Sequence, residues 1–229
     1  MRLADNVKSV LERVQAAAIC CSRNHESIKL VAVSKRKDVG LMREALESGI
    51  TALGENRVQE AREKWPQIAE YLRLSDYEFH MVGHLQRNKA KEAVQMFDLI
   101  HSVDSERLAL EIDRRAEEID KKQRVLVEVN TSGEESKFGV APGGVQELIS
   151  SVKGLPNLRL EGLMTIGPLI GGQDAARRSF QLLRHLRDES GSVGDLPELS
   201  MGMSQDFEIA IEEGATMIRV GTAIFGTRD

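Results

Sequence analysis

The stretch KLVAVSKRKDVGLMREALESGITALGENRVQEA, residues 29–61, decides the fold. Its first six residues (29–34) form a short apolar run rich in valine, the pattern of a buried strand. Asp38 then stands as an N-cap ahead of Leu41, Met42, Ala45 and Leu46 at helical spacing, and Gly49 closes that helix. A second short strand (50–53) and a second helix, running through Trp65 and Ile68, repeat the unit. Strand, helix and strand in this order imply parallel pairing with a right-handed crossover. The turn after the first strand reads SKRKD (34–38), where an open doubly wound sheet usually carries a Gly-rich turn.

Further strands are expected over 78–82, 98–102, 124–130, 159–165, 198–201 and 217–220. Helical patterns separate them. The one over 105–121 carries Leu108, Ile112, Ala116 and Ile119 on one side and charges on the other. Before the first strand, Leu3, Val7, Val10, Leu11 and Val14 mark an additional amphipathic helix. Eight strand–helix units in 229 residues approach the ~250 typical of a (β/α)8 barrel. The expected architecture is a single α/β barrel domain over residues 1–229, with the extra N-terminal helix filling part of the outer ring. An open sheet is the rival.

Lysine and arginine number 31 against 36 acidic residues, a net charge of −5, so charge does not point to nucleic acid. The basic run 87–91 reads as a solvated helix face. No apolar run approaches the roughly 20 residues that cross a bilayer, and the N-terminus shows no signal-peptide core. Cys20 and Cys21 are adjacent and build no disulfide framework, and no metal-ligand spacing is present. A cytoplasmic monomer is expected.

Chemistry in a barrel gathers at the C-terminal strand ends. Here those ends are polar and varied, whereas the strand bodies are aliphatic. Lys35 ends the first strand on the face shared by Val31 and Val33. It reads either as a solvated loop lysine or as an amine, discharged in a dry mouth, that attacks a carbonyl. Ser200 and Gly202 after the seventh strand, with Gly221 and Thr222 after the eighth, lie where many barrels bind phosphate. Ser204 reads as the N-cap of the helix carrying Phe207, Ala210 and Ile211. Arg219 shares the interior face with Met217 and needs either a carboxylate, such as Glu128 or Glu161, or a ligand. His101 reads as a packed core residue, and His84 as a cap or an exposed side chain, with approach to a ligand as the lesser reading. A carbonyl-binding lysine, a phosphate pocket and an arginine between them suggest pyridoxal 5′-phosphate (PLP).

The segments AVSK (32–35), GENRVQEA (54–61), FHMVGHLQRNKAK (79–91) and HSVD (101–104) resemble the YggS/PROSC family of PLP homeostasis proteins. So do VNTSGEESKFGV (129–140), GLMTIGP (162–168) and LSMGMSQDFEIAIEEGATMIRVGTAIFG (199–226). The resemblance implies a fold-type III PLP barrel like the N-terminal domain of alanine racemase. It implies that Lys35 holds PLP as an internal aldimine and that Ser200, Gly202, Gly221 and Thr222 hold the phosphate. By the same resemblance Arg219 faces the pyridine nitrogen, Asn56 and His80 lie beside the ring, and Met164 and Met201 make further contacts. Arg57 departs from the family's frequent tyrosine.

The resemblance further implies a carrier or regulator of intracellular PLP (vitamin B6) without robust catalysis, whose partners are PLP itself and apo PLP-dependent enzymes. The alternative is an amino-acid racemase or decarboxylase of the same fold type. Racemases of that type use a tyrosine from a further β-rich domain opposite the lysine. Here Tyr71 falls in a helix and Tyr77 at a strand entrance. A guanidinium at the ring nitrogen also weakens the ring as an electron sink. Setting the resemblance aside leaves a barrel aldolase or phosphosugar enzyme with Lys35 as nucleophile.

Overall fold

The structure, a computed structural model, describes residues 2–74, 77–168, 170–191 and 194–226. The chain opens with α1 (Leu3–Cys20) and then alternates: β1 (Lys29–Val33), α2 (Val39–Glu47), β2 (Ala52–Glu55), α3 (Val58–Leu74) and β3 (Glu78–Met81). Next come α4 (Ala90–Met96), β4 (Leu99–Val103), α5 (Glu106–Glu117), β5 (Gln123–Glu128), α6 (Val145–Lys153) and β6 (Leu158–Met164). The series ends with α7 (Gly172–Glu189), β7 (Glu198–Ser200), α8 (Phe207–Glu212), β8 (Met217–Val220) and α9 (Thr222–Phe225). The strands pair in parallel in sequence order, and β8 returns to β1 to close the barrel. Val31 lies opposite Ala52 on one side and Arg219 on the other. The expected barrel is present, and the open sheet is excluded.

Local chemistry sets the element ends. Asp38 caps α2, its Oδ1 accepting from the Leu41 N–H at 2.9 Å. Gly49 takes a left-handed φ of 103° after that helix. The Ile50 N–H then bonds back to the Ala45 carbonyl, so Ile50 belongs to the helix-ending turn and β2 starts two residues later than its apolar run suggests. At the other end of the barrel, Val129 leaves β5 to bridge with Val140, which shortens that strand from its expected end at residue 130.

Strand alternation sorts the core into two compartments. Outward residues, among them Leu53, Phe79 and Leu199, join Phe97, Phe180 and Phe207 between sheet and helices. Each such aromatic, fully buried, contributes roughly 1.5–3 kcal/mol. Inward residues form two smaller groups, Val31–Val33–Ala52–Val82 and Leu99–Leu126–Met164–Met217. The inward face also holds polar side chains, including His80, His101, Ser200 and Arg219, all buried. The helix α1 packs across α2, α8 and α9, where Asn6 Nδ2 donates to the Ile224 carbonyl at 2.9 Å. It thereby fills part of the outer ring. Among the described residues, no helix is long and apolar enough to cross a membrane.

Candidate functional site

A cavity of about 250 Å³ opens at the C-terminal mouth, and its wall includes Lys35, Asn56, Ser204, Arg219, Gly221 and Thr222. A larger and more open groove of about 540 Å³ touches it through Asn56 and carries His84 but not Lys35. The smaller cavity is the candidate site because it gathers Lys35 with Arg219, Gly221 and Thr222.

Lys35 follows β1, and both its chain neighbours are held. The Ser34 hydroxyl donates to Glu55 Oε1 at 2.7 Å. Lys64 Nζ donates to the Ser34 carbonyl at 2.9 Å, and to Glu55 and Glu60 at 2.7 Å each. On the other side, Arg36 adopts a left-handed φ of 60° and gives its N–H to Glu60. Burial raises the Glu55 pKa, and the hydrogen bond and charge of Lys64 resist that rise. The Lys35 backbone is therefore held by a buried charge network.

Loops after β7 and β8 supply the polar donors. Ser204 Oγ accepts from the Gly221 and Ala223 N–H groups, each at 3.3 Å. This corrects the reading of Ser204 as a helix cap. Asp206 occupies the N-cap of α8, and its Oδ1 accepts from the Met203 N–H at 2.6 Å. Gly202, with φ of 90°, answers a packing demand. A Cβ there would lie 2.5 Å from Ala210 Cβ and 2.9 Å from Phe207 Cα.

Arg219 is almost wholly buried, with Nη1 donating to Ser200 Oγ at 2.6 Å and Nη2 to the Thr165 carbonyl at 2.7 Å. Thr165 is itself fixed, because its hydroxyl bonds to the Val129 carbonyl and to Thr131, both at 2.8 Å. Burial pushes the Arg219 pKa down to about 10, and the charges of Glu128 and Asp206 resist the fall, so the guanidinium stays charged at neutral pH. Neither expected carboxylate pairs with it directly. Glu161 instead meets Arg124 at 2.9 Å and Arg159 at 3.2 Å. Glu128 is buried with Oε2 unbonded among the described residues. Burial first, and the Asp104 charge second, push its pKa up to about 7 against the pull of Arg219.

The structure thus brings Lys35, Asn56, Arg219, Gly221 and Thr222 together on one wall. Five other expected residues stand elsewhere. Met201 faces outward into the shell between sheet and helices and is not among the wall residues of the cavity. Met164 packs in the interior beside Ile166, which is a wall residue. His80 is buried inside the barrel, bonded to Glu78 and His101. The Ser200 hydroxyl is engaged by Arg219 and His101, so Ser204 is the serine of that loop on the cavity wall. Gly202 is absent from the wall. Ser204 and His101 had readable signals. Ser204 closes the SMGMS loop, and His101 lies on the inward alternation of its strand.

The model of the alanine racemase N-terminal domain matches residues 3–229. A protein of Aquifex aeolicus described as a pyridoxal phosphate homeostasis protein is 44% identical over 230 residues, covering 100% of this chain and 99% of the relative. The chain belongs to this family. The Escherichia coli K12 member, described in the same words, is 38% identical over 99% of this chain and 97% of its own. Among solved structures, PipY of Synechococcus elongatus with PLP bound superposes with a TM-score of 0.83 at 35% identity, covering 98% of this chain and 100% of PipY. An alanine racemase of Clostridium difficile shares the fold (TM-score 0.73, 20% identity), covering 98% of this chain and 57% of the racemase.

Proposed function

We propose that this chain binds PLP at the C-terminal mouth of its barrel, covalently through Lys35, and serves intracellular PLP homeostasis as a carrier or regulator. The observation that carries the reading is the shared wall: Lys35, Arg219 and the Ser204–Gly221–Thr222 donors border one cavity. The donor set suits the ligand. An amine matches an aldehyde, and hydroxyls with backbone N–H groups match a phosphate. Asn56 Oδ1, buried and unbonded among the described residues, is a polar atom awaiting a partner on the same wall. PLP, when bound, supplies an electrophilic aldehyde and a conjugated ring. Lys35 provides the attacking amine. Gly221 and Thr222 would hold the phosphate, with Ser204, which already accepts the Gly221 N–H, fixing that loop. Arg219, charged and anchored by Ser200 and the Thr165 carbonyl, would present a donor to the ring nitrogen. The PLP-bound relative and the homeostasis descriptions of the curated relatives support this assignment.

The non-catalytic reading rests on proton-transfer groups. Two-sided racemisation needs an acid–base group on each face of the ring. The Tyr71 hydroxyl meets Glu47 at 3.2 Å, and the Tyr71 and Tyr77 rings stand 5.9 Å apart. Neither tyrosine is a wall residue of the cavity. Transfer of PLP to apo enzymes, a monomeric state and a cytoplasmic location complete the proposal. Holo-protein is incubated with L- and D-amino acids in deuterated buffer and followed by NMR, while a parallel assay measures activation of an apo PLP enzyme against matched free PLP. Transfer without sustained α-proton exchange is expected. Rapid exchange with racemised product would make the chain an enzyme.

A further inference from the structure

Five polar side chains form a hydrogen-bonded line along the barrel interior. Arg219 Nη1 lies 2.6 Å from Ser200 Oγ, which lies 2.8 Å from His101 Nδ1. His101 Nε2 lies 3.1 Å from His80 Nδ1, and His80 Nε2 lies 3.0 Å from Glu78 Oε2. Both histidines are fully buried. Glu78 stands at the opposite mouth, where Lys29 and Arg124 also bond to it, Arg124 at 2.6 Å.

The two ends dictate the direction. A guanidinium only donates, and an ionised carboxylate only accepts. Ser200, having accepted from Arg219, turns its proton to His101 Nδ1. His101 then carries its proton on Nε2 and donates to His80 Nδ1, and His80 carries its own on Nε2 and donates to Glu78. The reverse direction needs a second proton on His80. Burial lowers the pKa of both rings, with the charges of Lys29 and Arg124 adding to the effect at His80 and only Glu78 resisting it. Burial alone would raise the Glu78 pKa, but bonds from His80, Lys29 and Arg124 outweigh it and hold the carboxyl well below its usual range. Its acceptor role is therefore secure.

We infer that His101 and His80 are positioning residues for Arg219, carrying a one-way chain of hydrogen bonds from the cavity wall to the Glu78 carboxylate. The chain holds one edge of the guanidinium while the Thr165 carbonyl holds Nη2. Its effect on ligand binding rests on the proposed PLP site. Its geometry does not.

Two measurements test it. Two-bond nitrogen–proton correlation spectra of ligand-free, histidine-labelled protein at pH 7 should show His80 and His101 both as neutral Nε2–H tautomers. An Nδ1–H tautomer or a doubly protonated ring at either position would overturn the chain. The second measurement is a double-mutant cycle on PLP affinity. Cutting one link, with His101→Leu or Ser200→Ala, should weaken PLP about 10-fold. His101→Gln keeps both an acceptor for Ser200 and a donor for His80, and should retain most of the affinity. In the Arg219→Ala background the same cuts should change Kd by less than about twofold, since coupled residues lose their effect together. An equal loss in both backgrounds, or no loss in either, would show that the histidines do not act through Arg219. If His101→Leu does not fold, Ser200→Ala decides the cycle. Failure of the wild-type chain to bind PLP defeats the functional reading, and the spectra still decide the chain of bonds.

Discussion

Ser204 on the loop after β7 accepts the N–H of Gly221 at the end of β8, 3.3 Å away. One hydroxyl thus ties together the two loops that frame the proposed phosphate site. Gly221 in turn sits against β1, where a Cβ would approach the Val33 carbonyl to 3.3 Å. The strand that delivers Lys35 and the loop that delivers Thr222 are therefore in near contact. This proximity makes the site separable into parts that ligand chemistry can distinguish.

Lys35 should carry the cofactor. Borohydride treatment of PLP-loaded protein should leave the label on the peptide containing Lys35, and Lys35→Ala should lose the visible absorbance of the covalent complex. Peptide mapping checks both. Label confined to another lysine would contradict the assignment.

Thr222→Ala and Ser204→Ala should weaken PLP more than pyridoxal, which lacks the phosphate. A lost hydrogen bond to a charged group costs about 1.5–3 kcal/mol, roughly 10- to 100-fold in Kd. Ser200→Ala should weaken both ligands alike, because Ser200 acts on Arg219. Titration calorimetry with the two ligands separates these outcomes.

Gly202→Ala should destabilise the fold. The added methyl meets α8 at 2.5 Å, and the left-handed backbone opposes a side chain. A loss of about 2–3 kcal/mol, roughly 5–10 °C in Tm, is expected. Thermal unfolding of the ligand-free protein reads it directly.

Glu128 should make stability fall with rising pH. Its pKa is raised from 4.5 to about 7 in the fold. Between those values the folded chain holds a proton that the unfolded chain has released, so folding is relatively favoured at pH 5 and penalised by pH 8. Glu128→Gln removes that titration. The stability of the variant relative to wild type should rise by about 2.5 kcal/mol from pH 5 to pH 8, as followed by urea unfolding at both values.

Much of the fold and the centre of the site were readable along the chain. Alternating apolar periods, the Asp38 cap and the Gly49 terminator are local signals, so the strand–helix order and even the inward face of Lys35 and Arg219 followed from them. Strand ends were less legible. Ile50 has the side chain of a strand residue, but its N–H is claimed by the preceding helix. The surroundings of Met201 and Ser204 were illegible for a related reason. Near the end of a three-residue strand, neighbouring residues diverge to opposite sides, and Met201 ends in the outer shell while Ser204 crosses to the next loop.

Sequence by itself determined that strands and helices alternate eight times, which polar residues lie at strand ends, and which inward positions carry charge. Only the closed barrel decided their partners. Residues 78, 80, 101, 200 and 219 lie on four different strands, and only the barrel's register brings their side chains into one line. A buried donor satisfies whichever acceptor lies within reach, and that is a property of three-dimensional distance. Arg219 therefore took the Ser200 hydroxyl and the Thr165 carbonyl, while Glu161 found Arg124 and Arg159 at the opposite mouth.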